Sequence, residues 1–199
     1  MKIACLGSHG AGKSTLSYQL ADYFKRRNKN VYVVHERVRH SPFPLNSESN
    51  YKTTIWAFCN QVTKELEAAQ RGYDTVICDR SVFDCFIYAS YFNFQQEILE
   101  SMRNFALEWL RSYDFFFFVR PNMPCNGDGI RDIDEKFRDG IDNMFEEFFH
   151  MLLLPNFVEV YTSQIIKKEL NFDDIFKRFE LDRCRCGSSR GIPEFEAED

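Results

Sequence analysis

The sequence predicts an α/β fold in which helices cover both faces of a five-stranded, mostly parallel sheet. Strand and helix patterns alternate along the 199 residues, as in chains that build parallel sheets. The strand segments are short, continuous apolar runs, which is typical of strands buried on both faces. Strands are predicted at 2–6, 31–35, 75–79, 114–119 and 157–161. Helices are predicted near 13–27, 53–71, 82–92, 95–112, 132–153 and 167–181.

The segment between the first strand and the first helix has a phosphate-binding pattern. It reads Gly7-Ser8-His9-Gly10-Ala11-Gly12-Lys13-Ser14, a G-x-x-x-x-G-K-S sequence. Glycines let backbone N–H groups approach phosphate oxygens, Lys13 supplies an ammonium group, and the Ser14 hydroxyl can ligate Mg²⁺. We therefore predict that ATP and Mg²⁺ bind here, in a three-layer P-loop fold with strand order 2-3-1-4-5. The predicted contacts are Gly7, His9, Gly10, Ala11, Gly12, Lys13, Ser14 and Thr15.

Composition indicates one domain with a terminal extension. Residues 1–186 form the predicted domain, with a mobile lid at about 120–140, and residues 187–199 form an acidic tail that is expected to be disordered. The net charge of −5 argues against a broad nucleic-acid surface. Seven scattered cysteines, with no signal peptide and no long apolar span, favour a cytoplasmic location. A homodimer is left open.

Polar residues follow the second and third strands, where the carboxyl ends of parallel strands meet. Glu36 is a candidate proton acceptor and Arg39 a candidate substrate contact, although such a charged segment is also typical of surface salt bridges. Asp79 is a candidate magnesium ligand together with Ser14, and Arg80 could pair with the acceptor or with the transferred phosphoryl group. The alternative for Asp79 is a helix cap.

The predicted lid has three arginines: Arg120, Arg131 and Arg138. Guanidinium groups on a closing segment would neutralise a transferring phosphoryl group and exclude water. The alternative is that they balance nearby acidic residues such as Asp132, Asp134 and Glu135.

The acceptor is predicted to lie between the loop at 40–52, which includes Phe43, and the start of the next helix. Trp56 and Gln61 on that helix combine an aromatic ring with an amide, as a heterocyclic base requires, but such pairs also arise by chance. The same helix has an apolar stripe that is expected to be mostly core: Ile55, Phe58, Val62, Leu66 and Ala69.

These motifs resemble two groups of kinases. The P-loop, Glu36, Trp56 with Gln61, and Asp79-Arg80-Ser81 resemble the deoxynucleoside kinases. That resemblance implies that Glu36 is the base and that Gln61 reads the nucleobase, although those kinases usually have Glu where Asp79 stands.

The second resemblance is to the ribosylnicotinamide kinase domain and a related ATPase-like P-loop family. It rests on Glu36-Arg37-Val38-Arg39 and on Asp128-Gly129-Ile130-Arg131-Asp132, which would open the lid. Both resemblances imply ATP as donor, a nucleoside-type acceptor and lid arginines.

The function expected from the sequence is ATP-dependent transfer of the γ-phosphoryl group to a hydroxyl or phosphate of a nucleoside- or nucleotide-like small molecule. Deoxynucleosides, nucleoside monophosphates and ribosylnicotinamide are the candidate acceptors. The predicted catalytic residues are Lys13, Glu36, Asp79, Arg80 and Arg131. Two alternatives stay open: a regulatory nucleotide-binding NTPase, and a kinase that acts on a modified base in DNA.

Overall fold

The fold is a five-stranded parallel sheet with helices on both faces, as the sequence predicts. The computed structural model describes residues 1–45, 49–124, 134–152, 154 and 156–185, without the side chains of Arg39 and of residues 180–185. The strands are β1 (Lys2–Leu6), β2 (Val31–Val34), β3 (Thr75–Asp79), β4 (Phe115–Arg120) and β5 (Phe157–Tyr161). All pairs are parallel, and the order β2-β3-β1-β4-β5 confirms the predicted one.

Seven helices are found in the described part of the chain. They are α1 (Lys13–Lys25), α2 (Tyr51–Gln70), α3 (Val82–Tyr91), α4 (Gln96–Leu110), α5 (Glu135–Met151), α6 (Thr162–Ile166) and α7 (Phe172–Arg185). A 3₁₀ turn at Val38–His40 follows β2. The helix predicted at 167–181 begins later, at Phe172, and the separate short helix α6 ends before residue 167. Lys168 has a φ of 56°, which ends α6, and the Asn171 side chain accepts from the Asp174 N–H at the start of α7.

The alternation of side chains along each strand divides the core into two layers. Phe116 and Phe118 of β4 pack with α2, α3, α4 and α5. Phe115 and Phe117 point to the opposite face and pack with α1 and α7. Because both faces are covered, β4 is apolar at successive positions, here a continuous run of phenylalanines.

The predicted apolar stripe of α2 is confirmed only in part, because Phe58 and Val62 are half-buried and pack against the core, while the end of the stripe is exposed. The buried side chains of this helix include Thr53, Thr54, Gln61 and Glu65, whereas Leu66 is 55% exposed. The helix is thus rotated so that polar residues face inward. Hydrogen bonds to the Glu65 carboxylate make this burial tolerable, since buried polar groups must find partners.

No helix in the described part of the chain is both long and apolar enough to cross a membrane.

Gly7 is the point where the sheet leaves no room for a side chain. Its φ is 135°, and a Cβ atom there would lie 2.5 Å from the carbonyl oxygen of Val119. The loop after β1 therefore passes directly against the backbone at the end of β4.

We expect Gly7→Ala to lower the free energy of unfolding by about 3 kcal/mol or more, because backbone strain and a steric clash add together. Gly72→Ala is the matched control. Its φ is also positive, at 68°, but no atom lies within 4 Å of the added Cβ. That variant should lose only about 1 kcal/mol. Urea unfolding of both proteins measures the difference, and equal losses would contradict the predicted clash.

Candidate functional site

The loop between β1 and α1 forms a phosphate cradle at the carboxyl edge of the sheet. Gly7, Gly10 and Gly12 have φ values of 135°, 72° and 100°, which ordinary residues avoid. The Thr162 hydroxyl donates to the Ala11 carbonyl at 2.7 Å and so ties this loop to the start of α6. Since α1 begins at Lys13, its positive dipole end lies in the same loop.

Lys13 is buried at the base of this loop. Its ammonium donates to the carbonyl of Gly7 at 2.8 Å and to that of Ser8 at 2.6 Å. Burial, followed by the nearby Arg80 guanidinium, lowers the pKa of Lys13 to about 8, although surrounding carboxylates act in the opposite direction. The loop lysine is therefore more easily deprotonated than an exposed one.

Asp79 ends β3 beside the phosphate loop. It pairs in register with Cys5 of β1 and is 4% exposed. Its Oδ1 has no hydrogen-bond partner among the described residues. A buried carboxylate oxygen without a partner is costly and suits a cation. Asp79, with the partly exposed Ser14 hydroxyl, thus fits the chemistry of Mg²⁺, which takes few protein ligands and completes its shell with phosphate and water oxygens.

Glu36 and Arg80 form an ion pair at the ends of β2 and β3. The Arg80 Nε donates to Glu36 Oε1 at 2.5 Å, and both side chains are nearly buried, with 11% and 12% exposed. Burial opposes the charge on Arg80, but Glu36, Tyr88 and Asp84 together raise its pKa. The backbone of Arg80 has a φ of 90°, which is rare outside glycine.

Asp84 is a buried carboxylate that the sequence analysis missed. Its Oδ2 accepts from the Ser81 N–H at 2.8 Å and from the Ser81 hydroxyl at 2.7 Å, and its Oδ1 accepts from the Gly7 N–H at 3.4 Å. Burial raises the pKa of Asp84, while Lys13 and Arg80 lower it. The Ser-x-x-Asp spacing of a capping box could have identified it.

A cavity opens between the phosphate loop and the helices α2, α3 and α5. Glu36 and Arg80 supply its charged groups, and Tyr88 and Phe137 supply much of its aromatic wall. The described residues that line it are His9, Glu36, Val38, Leu45, Ser49, Thr53, Thr54, Ala57, Arg80, Cys85, Tyr88, Phe92 and Phe137. His9 connects the two regions, because its N–H donates to the Tyr88 hydroxyl at 2.9 Å. The phosphate loop and the cavity therefore share one wall.

Comparison with protein-family models gives one match. The model described as AAA domain covers residues 2–162. The chain belongs to the AAA domain family. No curated protein matches it.

Solved structures of a deoxyadenosine kinase from M. mycoides share the fold of this AAA domain. One contains the product dCMP with a flexible dCDP, a second dCTP and a third dATP. Each is 19% identical to this chain, and the TM-scores are 0.58, 0.58 and 0.57. The matches cover 94% of this chain and 99%, 99% and 100% of the kinase chains. At this identity, the likeness supports the fold alone.

The predicted acceptor residues are only partly brought to the cavity of this AAA domain. Arg80 lines it, whereas Phe43, Trp56 and Gln61 are not among the described residues that do. The Gln61 amide instead donates to Glu65 Oε1 at 2.7 Å and to the Arg80 carbonyl at 3.1 Å. The side chain of Arg39 lies outside the described residues.

The predicted lid arginines that the structure describes, Arg120 and Arg138, have partners elsewhere in the protein. Arg120 binds both carboxylate oxygens of Glu146, at 2.8 and 2.9 Å, and also pairs with Asp142 at 3.1 Å. Arg138 is buried and donates to the Met123 carbonyl at 3.1 Å. Arg131 lies outside the described residues, so its lid role stays a prediction.

The lowered pKa of Lys13 predicts that nucleotide affinity falls in alkaline solution. Above a pKa of about 8, binding of a triphosphate must also return a proton to Lys13, so affinity decreases as pH rises. We expect the dissociation constant for ATP to increase about tenfold between pH 7 and pH 9.

The control is Lys13→Arg, because a guanidinium keeps its charge over this pH range. Any change in affinity that remains in this variant comes from the titration of ATP itself. Isothermal titration calorimetry of both proteins at several pH values measures the two slopes. Parallel slopes would contradict the assigned titration.

Proposed function

We propose that this AAA domain is an ATP-dependent phosphotransferase that acts on a nucleoside- or nucleotide-like small molecule. The observation that carries the proposal is the Glu36–Arg80 pair. The pair lines the aromatic cavity, and both groups lie close enough to Lys13 of the phosphate loop to affect its pKa, so a carboxylate and a guanidinium would stand where two substrates meet.

The donor half of the site would hold Mg–ATP. The loop N–H groups and Lys13 would bind the phosphates, while Ser14 and Asp79 would hold the metal. Mg²⁺ in such a site neutralises charge on the β- and γ-phosphates. The Oδ1 of Asp79, which has no hydrogen-bond partner among the described residues, supports this assignment.

Phosphoryl transfer itself requires one bond to form and one to break. The acceptor oxygen bonds to the γ-phosphorus, the bond from that phosphorus to the ADP oxygen breaks, and a hydroxyl acceptor loses its proton. Glu36 would take that proton, and its hydrogen bond from Arg80 would hold the carboxylate in place. Arg80 would stabilise the negative charge on the transferred group.

The chemistry of the cavity supports a flat, ring-containing acceptor. Its walls combine the rings of Tyr88, Phe92 and Phe137 with the hydroxyl-bearing Thr53 and Thr54. Aromatic faces stack on heterocycles, and a few hydroxyls fix their orientation. The fold shared with a deoxyadenosine kinase that binds dCMP, dCTP and dATP agrees with such an acceptor.

An acceptor screen separates this function from its alternatives. Labelled ATP is incubated with deoxynucleosides, nucleoside monophosphates, ribosylnicotinamide or single-stranded DNA, and labelled products are resolved. The proposal predicts transfer to one class of small molecule. Hydrolysis of ATP at a rate that no acceptor changes would favour the regulatory NTPase, and labelling of DNA alone would favour a polynucleotide substrate.

Glu36→Gln tests the assigned base. With a hydroxyl acceptor, we expect kcat to fall at least about 100-fold, since a glutamine cannot accept the proton. ATP affinity should change less than about threefold, because Glu36 does not contact the donor in this mechanism. Glu97→Gln on the exposed start of α4 is the control and should keep full activity. Near-normal turnover of Glu36→Gln would remove Glu36 from the mechanism.

Asp79→Asn tests the metal site. Because an amide is a neutral and weaker ligand than a carboxylate, the Mg²⁺ concentration for half-maximal activity should rise about tenfold or more. Asp22→Asn on the exposed face of α1 is the matched control and should leave the Mg²⁺ titration unchanged. An unchanged titration for Asp79→Asn would show that Asp79 does not hold the metal.

A further inference from the structure

Beneath Arg80 lies a buried polar chain that the proposed catalytic steps do not use. It consists of Gln61 and Glu65, one helical turn apart on the inward face of α2, and we refer to these two residues as the α2 tether. Their side chains belong to residues that are 6% and 1% exposed. Polar residues at such depth need a structural or functional reason.

Glu65 is fixed by donors from three other segments of the chain. Lys2 at the start of β1 approaches one carboxylate oxygen at 2.7 Å. The Trp109 indole N–H donates at 2.7 Å, and the Tyr113 hydroxyl donates at 2.8 Å. The carboxylate is thus a fixed acceptor with little freedom to rotate.

Gln61 transmits this rigidity to Arg80. A side-chain amide has two N–H hydrogens, and here the nitrogen has two acceptors, Glu65 Oε1 at 2.7 Å and the Arg80 carbonyl at 3.1 Å. Both donors are therefore committed inside the protein. Gln61 cannot also donate to a substrate base without releasing one of these partners.

Arg80 needs such a partner because of its backbone. With a φ of 90°, it occupies a region that L-residues leave unless the surroundings hold them. Its N–H donates to the Cys5 carbonyl at 3.1 Å, and its carbonyl accepts from Gln61. The direction of the guanidinium toward Glu36 depends on this backbone conformation.

We propose that Gln61 and Glu65 are positioning residues, which hold the backbone of Arg80 so that its guanidinium meets Glu36. The inference rests on the proposed function for its catalytic consequence. Its structural consequence, the geometry of the Arg80–Glu36 pair, can be measured without turnover.

The first experiment measures that pair by the Nε–Hε resonances of arginine in ¹H–¹⁵N NMR spectra. Arg80→Lys identifies the Arg80 signal, because lysine has no such group. In the native protein we expect this signal to be protected from solvent exchange by its bond to Glu36. Gln61→Met, which has a similar shape but no donor, should reduce that protection at least tenfold. Glu65→Gln, which keeps the shape of the acceptor, should also reduce the protection of the Arg80 signal, but by a smaller factor than Gln61→Met.

Ala68→Gly is the control for loss of stability. It weakens the same helix at another buried position, about two turns after Gln61, and its Arg80 signal should match that of the native protein. If Gln61→Met does not fold, the comparison of Glu65→Gln with Ala68→Gly decides. A protected Arg80 signal in every folded tether variant would overturn the proposal.

The second experiment measures kinetics with the acceptor found in the screen. A positioning role predicts that Gln61→Met lowers kcat at least tenfold, leaves the acceptor KM within twofold, and keeps the ranking of acceptors. A direct role in reading the base predicts the opposite, with a raised KM, a changed ranking and an unaltered Arg80 signal. That second result would refute the proposed positioning role of the α2 tether. If no acceptor is found, the proposed function fails, and the NMR result still stands on its own.

Discussion

The site depends on one buried carboxylate, that of Asp84. It binds the backbone and hydroxyl of Ser81 at the start of α3 and the N–H of Gly7 at the start of the phosphate loop. One side chain therefore connects two parts of the site: α3, which lines the cavity, and the loop that would hold the donor. A buried carboxylate is stable only near compensating charge, and Lys13 and Arg80 provide it. The two cations that phosphoryl transfer would use thus also stabilise the fold around it.

The charges around this carboxylate are not balanced within the protein alone. Glu36, Asp79 and Asp84 lie near only two described buried cations, Lys13 and Arg80. The lowered pKa of Lys13 shows that burial and the repulsion from Arg80 outweigh the attraction of these acids. By contrast, the Asp79 Oδ1, which has no hydrogen-bond partner among the described residues, leaves negative charge at the edge where a metal ion would bind.

The sequence was sufficient for the parts of the site that depend on strand ends. Glu36 follows β2 and Asp79 ends the neighbouring strand β3. Parallel strands bring their carboxyl ends to one edge, so the proximity of both residues to the phosphate loop could be predicted. The face that α2 turns toward the core could not be predicted from the sequence. Residues five apart on a helix, such as Trp56 and Gln61, lie about 140° apart and cannot face one cleft together. Long-range donors to Glu65 decide which face turns inward, and hydrophobic periodicity contains no information about them.

The charged groups of the site also affect which kind of acceptor group the cavity could hold. Among the described residues that line the cavity, Arg80 is the one guanidinium, and it already pairs with Glu36. Arg120 and Arg138 are engaged elsewhere, with Glu146 and with the Met123 carbonyl. A phosphate acceptor would bring further negative charge beside Glu36 and would need another cation to offset it. Under the proposed function, a hydroxyl acceptor would need only a base, and Glu36 would be that base. If the proposed function holds, the charge balance in the described part of the site would therefore favour a hydroxyl over a phosphate as the group that receives the phosphoryl.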